Sequence, residues 1–148
     1  MYRTVLLATD GSDDALGAAE RAVDLAARYD AKLWACYVIE TRTAYDNAIV
    51  EPETVERALL EEGEGALAAV AERAATEGIP LGGAIRRGVP YEELLEHARQ
   101  EGADVIVVGR QGRSSFRAVV LGSTTDALVR LSPVPVLVVG EPSSPAGN

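Results

Sequence analysis

Several short, largely apolar runs are spaced along the chain, each separated from the next by a segment long enough for a helix. Val5-Leu6-Leu7-Ala8 is the first, Lys32 to Ile39 the second, Asp104 to Val108 a later one and Val134 to Val139 the last. Runs with no polar alternation suit strands buried on both faces, as in a parallel sheet. Leu81 to Arg87 is a weaker, glycine-bearing run that fits a strand at a sheet edge. Between the runs, helix signals recur. Ser12 is an N-cap candidate, with Asp13 and Asp14 placed where negative charge suits the helix dipole. Ala15, Ala19, Ala22, Val23 and Ala26 then share one face, and the helix should end near Tyr29-Asp30. Pro52 fits a first helical turn, followed by a stripe of Val55, Ala58, Leu59, Ala66, Ala69, Val70 and Ala74. Gly63 and Gly65 weaken that helix by roughly 1 kcal/mol each relative to alanine and invite a bend. Pro90 opens a third helix with Leu94, Leu95 and Ala98 inward, stopped by Gly102. Ser123 is expected to cap a fourth, bearing Ala127, Leu128 and Leu131 and ended by Ser132-Pro133.

Strands alternating with helices predict an α/β fold: a parallel sheet with right-handed crossovers and helices on both faces, Rossmann-like in class. At 148 residues this is one domain over residues 1–140, with a Pro/Ser/Gly-rich tail at 141–148 expected to be disordered. Residues 40–51 show no period and are expected to form a surface loop. No apolar run approaches the roughly 20 residues that span a bilayer. The N-terminus lacks the features of a secretory signal, so a cytoplasmic location without membrane contact is expected. Net charge is −9 and pI near 4.6, which argues against nucleic acid as a partner. Lys32 is the single lysine. That acidic, lysine-poor balance fits a salt-rich cytoplasm slightly better than the alternative, a GC-rich genome with ordinary solubility charge.

Ligands of open α/β sheets sit beyond the carboxyl ends of the strands, where strand order reverses. Two strand ends carry suitable residues. Ala8-Thr9-Asp10-Gly11 follows the first strand and Gly109-Arg110-Gln111-Gly112 the fourth. The loop after the fourth strand closes on Gly122-Ser123-Thr124 at a helix start. Glycines let backbone approach a phosphate, and a helix N-terminus offers free amides and a positive dipole end. Between Gly109 and Arg130 stand four arginines and one acid, Asp126, in an otherwise acidic chain. Together these features predict an anion site. A Walker loop is excluded, because no lysine follows the glycines.

The spacing Gly109-x2-Gly112-x9-Gly122-Ser123 resembles that of the ATP-binding universal stress proteins. The opening Val-Leu-Leu-Ala-Thr-Asp-Gly-Ser and the closing Pro-Val-Pro-Val-Leu-Val-Val resemble the same family, so the likeness covers residues 2–140. It implies a five-stranded sheet of order 3-2-1-4-5. It also implies ATP as ligand, accompanied by a divalent ion such as magnesium or manganese. Asp10 would meet ribose or adenine, with Ala8 and Thr9 beside it, and Val38 would line the adenine pocket. Val108 and Gly109 would pass under the nucleotide. Gln111, Gly112, Gly122, Ser123 and Thr124 would hold the phosphates, and Arg110 or Arg113 would supply charge. Ser115 and Phe116 depart from the residues many relatives carry there, which reads as loop variation. The last strand, Val134 to Val139, would pair across a two-fold axis in a homodimer, and an exposed apolar edge needs such a cover in any case.

No general base or nucleophile stands near the loop, so hydrolysis should be slow or depend on a partner protein. The expected role is that of a nucleotide-dependent stress-response or regulatory dimer. The alternative is a protein-interaction module of the same fold with an empty or different ligand site. A receiver domain ranks lower, since it needs a lysine after a late strand. His97 is expected to be a solvated surface histidine, Cys36 an inert core thiol, and Trp34 and Tyr37 packing groups.

Overall fold

A computed structural model describes residues 1–40, 51–110 and 121–140. Along the chain run β1 (Thr4–Ala8), α1 (Asp13–Tyr29), β2 (Lys32–Ile39), α2 (Pro52–Thr76), β3 (Leu81–Arg87), α3 (Pro90–Glu101), β4 (Val105–Gly109), α4 (Ser123–Leu131) and β5 (Val136–Val139). All strand pairings are parallel, and the sheet order is β3-β2-β1-β4-β5, as the alternation and the resemblance required.

β1 shows why an unbroken apolar run makes a central strand. Val5 and Leu7 point to one face, where they join α1 residues Ala18, Ala22 and Val23 and α2 residues Val70 and Ala74. Leu6 and Ala8 point to the other, where they join Leu94 and Ala98 of α3 and Leu128 of α4. Every residue of β1 is buried, as is every residue of β4. The alanine-rich face of α1 lets its backbone lie close over β1 and β4. Its start follows the sequence signal: Ser12 Oγ accepts from Ala15 N at 3.2 Å, with Asp13 and Asp14 in the first turn. It ends at Asp30, held in the left-handed region at φ 52°.

Five expectations need correction. In α2, Ala58 and Ala69 face solvent; Gly63, Ala66, Val70 and Ala74 are buried. Alanine is comfortable on either side of a helix, so it marks the inward stripe poorly. α2 also runs from Pro52 to Thr76 as one α-helix through both glycines. β5 begins at Val136, because Ser132 Oγ and Val134 close a local turn and the first pairing bond runs from Ile106 N to the Pro135 carbonyl. Gly122 occupies the N-cap of α4, leaving Ser123 as its first residue with no capping side chain. Leu131, expected inward, is half exposed, while Ala127 and Leu128 are buried as expected.

Candidate functional site

The strand order reverses at β1, which pairs with β2 on one side and β4 on the other. Beyond this point the chain is arranged by local hydrogen bonds. Thr9, buried, donates its amide to the Cys36 carbonyl at 3.0 Å and so extends the β1–β2 ladder by one step. Asp10 Oδ1 accepts from Ser12 N at 2.9 Å, an Asx turn that delivers the chain into α1. Gly11 supplies the positive φ, +79°, that this turn requires.

β4 ends at the same level. Leu7 pairs with Val107, so Ala8 and Val108 lie side by side. They share one apolar cluster with Cys36 and Val38. The four form an apolar floor on the α3/α4 side of the strand ends. Gly109 presses against the first turn of α1: a Cβ there would lie 2.9 Å from the Asp14 carbonyl carbon and 3.1 Å from Ala15 N. Backbone on backbone leaves no side chain to rotate away, so this position admits glycine alone.

The loop that leaves β4 returns to its own base. Gly122 N donates to the Arg110 carbonyl at 2.9 Å, and Thr125 Oγ1 donates to the Gly109 carbonyl at 2.6 Å. The start of α4 is thereby fixed at the end of β4, next to the reversal point. With glycine at its N-cap, α4 has no side-chain cap bond, and among the described residues no side chain takes the amides of its first turn. An apolar floor, a tight glycine contact and an uncapped helix start meet at one end of the sheet. Such a place suits a flat apolar group joined to an anion.

The sequence profile of the universal stress protein family matches residues 1–140. The chain belongs to the universal stress protein family. It is 33% identical over 144 residues to a universal stress protein of Methanocaldococcus jannaschii, covering 96% of this chain and 84% of that one. The solved structure of the universal stress protein UspA from Lactobacillus plantarum superposes with a TM-score of 0.77 at 32% identity, covering 93% of this chain and 97% of that chain. A universal stress protein solved in complex with cAMP superposes with a TM-score of 0.72 at 29% identity, with the same coverage of both chains.

In this universal stress protein, the fold brings Ala8, Thr9, Asp10, Val38, Val108, Gly109, Gly122, Ser123 and Thr124 to one end of the sheet. Gln111, Gly112 and Arg113 lie outside the described residues. Of the four arginines between Gly109 and Arg130, Arg110 and Arg130 are among the described residues. Arg130 pairs with Asp126 at 3.1 Å along exposed α4, near the helix end remote from the site. The Arg110 backbone amide donates to the Val139 carbonyl at 2.8 Å, and its guanidinium lies over Gly140, where a Cβ would come within 3.1 Å of Cζ. Its Nε is buried without a hydrogen-bond partner among the described residues. Thr125, which fastens the start of α4 to the end of β4, carried no mark of that role in the sequence beyond its place in the first helical turn. Among the described residues no group of three or more His, Cys, Asp and Glu side chains could hold a metal. Cys36 is buried in the core as expected, and burial pushes its thiol up to about 12. No helix among the described residues is long and apolar enough to cross a membrane.

Proposed function

We propose that this universal stress protein binds an adenine nucleotide, ATP in its working state, through residues 1–140, and acts as a nucleotide-dependent regulatory homodimer in the cytoplasm. The observation that carries the reading is the convergence of Gly109, the Arg110–Gly122 closure and the uncapped start of α4 beside the reversal of strand order. Ala8, Val38 and Val108 offer the base an apolar surface, with Asp10 and Thr9 beside it for the ribose. Gly122, Ser123 and Thr124, with Gln111 and Gly112, take the phosphates through backbone amides and hydroxyls. Arg110 and Arg113 add positive charge, Arg110 with a donor still unsatisfied. The cAMP complex of a relative supports adenylate as the ligand class. A divalent ion such as magnesium or manganese would arrive on the phosphates, since the described residues supply no ligand cluster of their own. No group placed to activate water stands among the described site residues, so turnover is expected to be slow.

Two measurements test this. Small molecules released from freshly purified protein are identified by mass spectrometry, and ATP is titrated calorimetrically in magnesium buffer. Saturable binding of ATP is expected. Absence of both retained nucleotide and binding at millimolar ATP sinks the reading, and a protein partner retained without nucleotide favours an interaction module instead. Gly122→Val fits the local backbone, φ −63° and ψ 158°, yet places a branched side chain at the helix start. It should abolish binding and leave the circular dichroism spectrum unchanged.

A further inference from the structure

His97 has no part in the nucleotide reading, and its surroundings are not those of the surface residue expected from sequence. It sits on α3 three residues after Leu94, on the inward side, and is 3% exposed. Its ring meets the Trp34 indole edge-on, with centroids 5.2 Å apart and planes at 78°. Nδ1 is buried and makes no hydrogen bond among the described residues. Buried polar atoms nearly always find a partner, so this one needs an explanation.

The neighbouring charges do not supply one. From β3, Arg86 donates through Nε to Glu93 Oε1 and through Nη1 to Gln100 Oε1, both at 2.9 Å. It opposes a second positive charge nearby. From β2, Cys36 is held neutral by burial. On α3 itself Glu93 is engaged by Arg86 and Glu96 by Arg99, Glu92 is exposed, and Glu101 is the acid that favours a charged imidazole. On α4, Asp126 and Arg130 pair with each other at the surface. β1 presents only apolar side chains on this face, Leu6 and Ala8. Burial first, and Arg86 second, outweigh Glu101 and hold His97 below the ordinary histidine range.

We propose that His97 is a proton-operated release for α3. A proton on Nδ1 creates an imidazolium inside an apolar box beside a guanidinium. Lifting α3 from β2 hydrates that charge and uncovers Trp34. Leu94 and Ala98 belong to the same apolar cluster as Ala8 and Val108, with Val38 packed against it, so the lift also loosens the floor of the candidate site. None of this depends on which ligand that site takes. The sign follows from linkage. An unfolded histidine titrates near about 6.5. With the folded value lower, the folded chain binds fewer protons as pH falls through that point, and stability declines from there down to the folded value.

The chain holds one histidine and one tryptophan, so each can be read without a label. The imidazole proton resonance follows the titration of His97. Acrylamide quenching of Trp34 fluorescence follows its exposure, and far-UV circular dichroism follows the whole fold. Between about pH 8 and 5, where histidine is the side chain that ordinarily titrates, the resonance midpoint should fall below the ordinary value. Quenching should rise severalfold with the same midpoint, while the dichroism holds. His97→Phe keeps a ring but no titrating group, and should flatten the quenching curve. If that variant does not fold, Arg86→Gln provides the second arm: without the opposing charge, both midpoints should move to higher pH. A histidine that titrates at or above the ordinary value overturns the proposal. So does quenching that stays flat through the histidine titration, or midpoints that ignore Arg86→Gln.

Discussion

Gly63 and Gly65 sit two residues apart in α2, and a methyl group added at each would meet opposite circumstances. At Gly65 nothing lies within 4 Å of the added carbon. Alanine there should stabilise the protein by up to about 1 kcal/mol through helix propensity alone. At Gly63 the added carbon would lie 2.8 Å from Tyr37 Cδ1 and 3.3 Å from Ile85 Cδ1. Tyr37 is buried, with Glu62 at its hydroxyl, so its ring has little room to give. Overpacking of this kind costs about 1–3 kcal/mol and outweighs the propensity gain. Urea unfolding midpoints should therefore rise for Gly65→Ala and fall for Gly63→Ala. A rise for both would show that the Tyr37 contact yields freely. Sequence alone treats the two glycines alike, because the residue that distinguishes them is on β2.

At the scale of elements, the ends of strands and helices are fixed by single hydrogen-bonding groups. α4 is fastened to β4 by the Thr125 hydroxyl, which is buried and donates to the Gly109 carbonyl. Thr125→Val keeps the shape but leaves that carbonyl unpaired, a loss of about 1–3 kcal/mol. Thr125→Ser should recover most of it in the same unfolding assay. β1 begins under the carboxylate of Asp104, whose Oδ2 accepts from Arg3 N at 2.7 Å and Thr4 N at 3.0 Å. These two amide bonds hold its pKa below the ordinary carboxylate range. A depressed folded value means the stabilisation is complete above the unfolded value of about 3.9 and is lost as pH falls through the folded one. Asp104→Asn keeps an acceptor and removes the charge. It should lower the unfolding midpoint at neutral pH, and the gap from the native chain should close in acid; a gap that persists there would show packing rather than charge at work. Much of this framework is legible in the chain itself. Unbroken apolar runs located the buried strands, and Ser12, Asp30 and Gly102 marked helix ends. What escaped depends on another element: the buried side of α2, where alanines are ambiguous, and His97, which lies three residues after Leu94 but is explained only by Trp34. The anchoring role of Thr125 escaped for the same reason, since its acceptor belongs to β4. The glycine spacing pointed to the candidate site, yet the paths taken by Arg110 and Arg130 could not be read from spacing.

At the scale of the molecule, the two edges of the sheet differ. β3 carries Arg86 and Arg87, paired with Glu93 and Glu56, and such charges discourage further strand pairing. β5 is Val-Leu-Val-Val with no charge at all, and Leu137 is 39% exposed. An apolar edge without charge favours pairing with a second copy, in keeping with the proposed dimer. Leu137→Lys should give a monomer in sedimentation velocity with an unchanged dichroism spectrum; a variant that remains dimeric would move the interface elsewhere. The same strand touches the candidate site, since Gly109 pairs with Val139 and Arg110 N donates to the Val139 carbonyl. Ordering β5 in a dimer should steady the backbone at the base of the loop. ATP affinity should therefore fall in Leu137→Lys, and ATP should tighten the native dimer. Linkage requires the factor by which dimerisation strengthens ATP binding to match the factor by which ATP strengthens dimerisation, counted per site. Calorimetry on the monomeric variant and sedimentation of the native chain with and without ATP give the two factors independently. If ATP binds yet leaves the dimer equilibrium unchanged, the contact through Arg110 transmits nothing, and the edge and the site work separately.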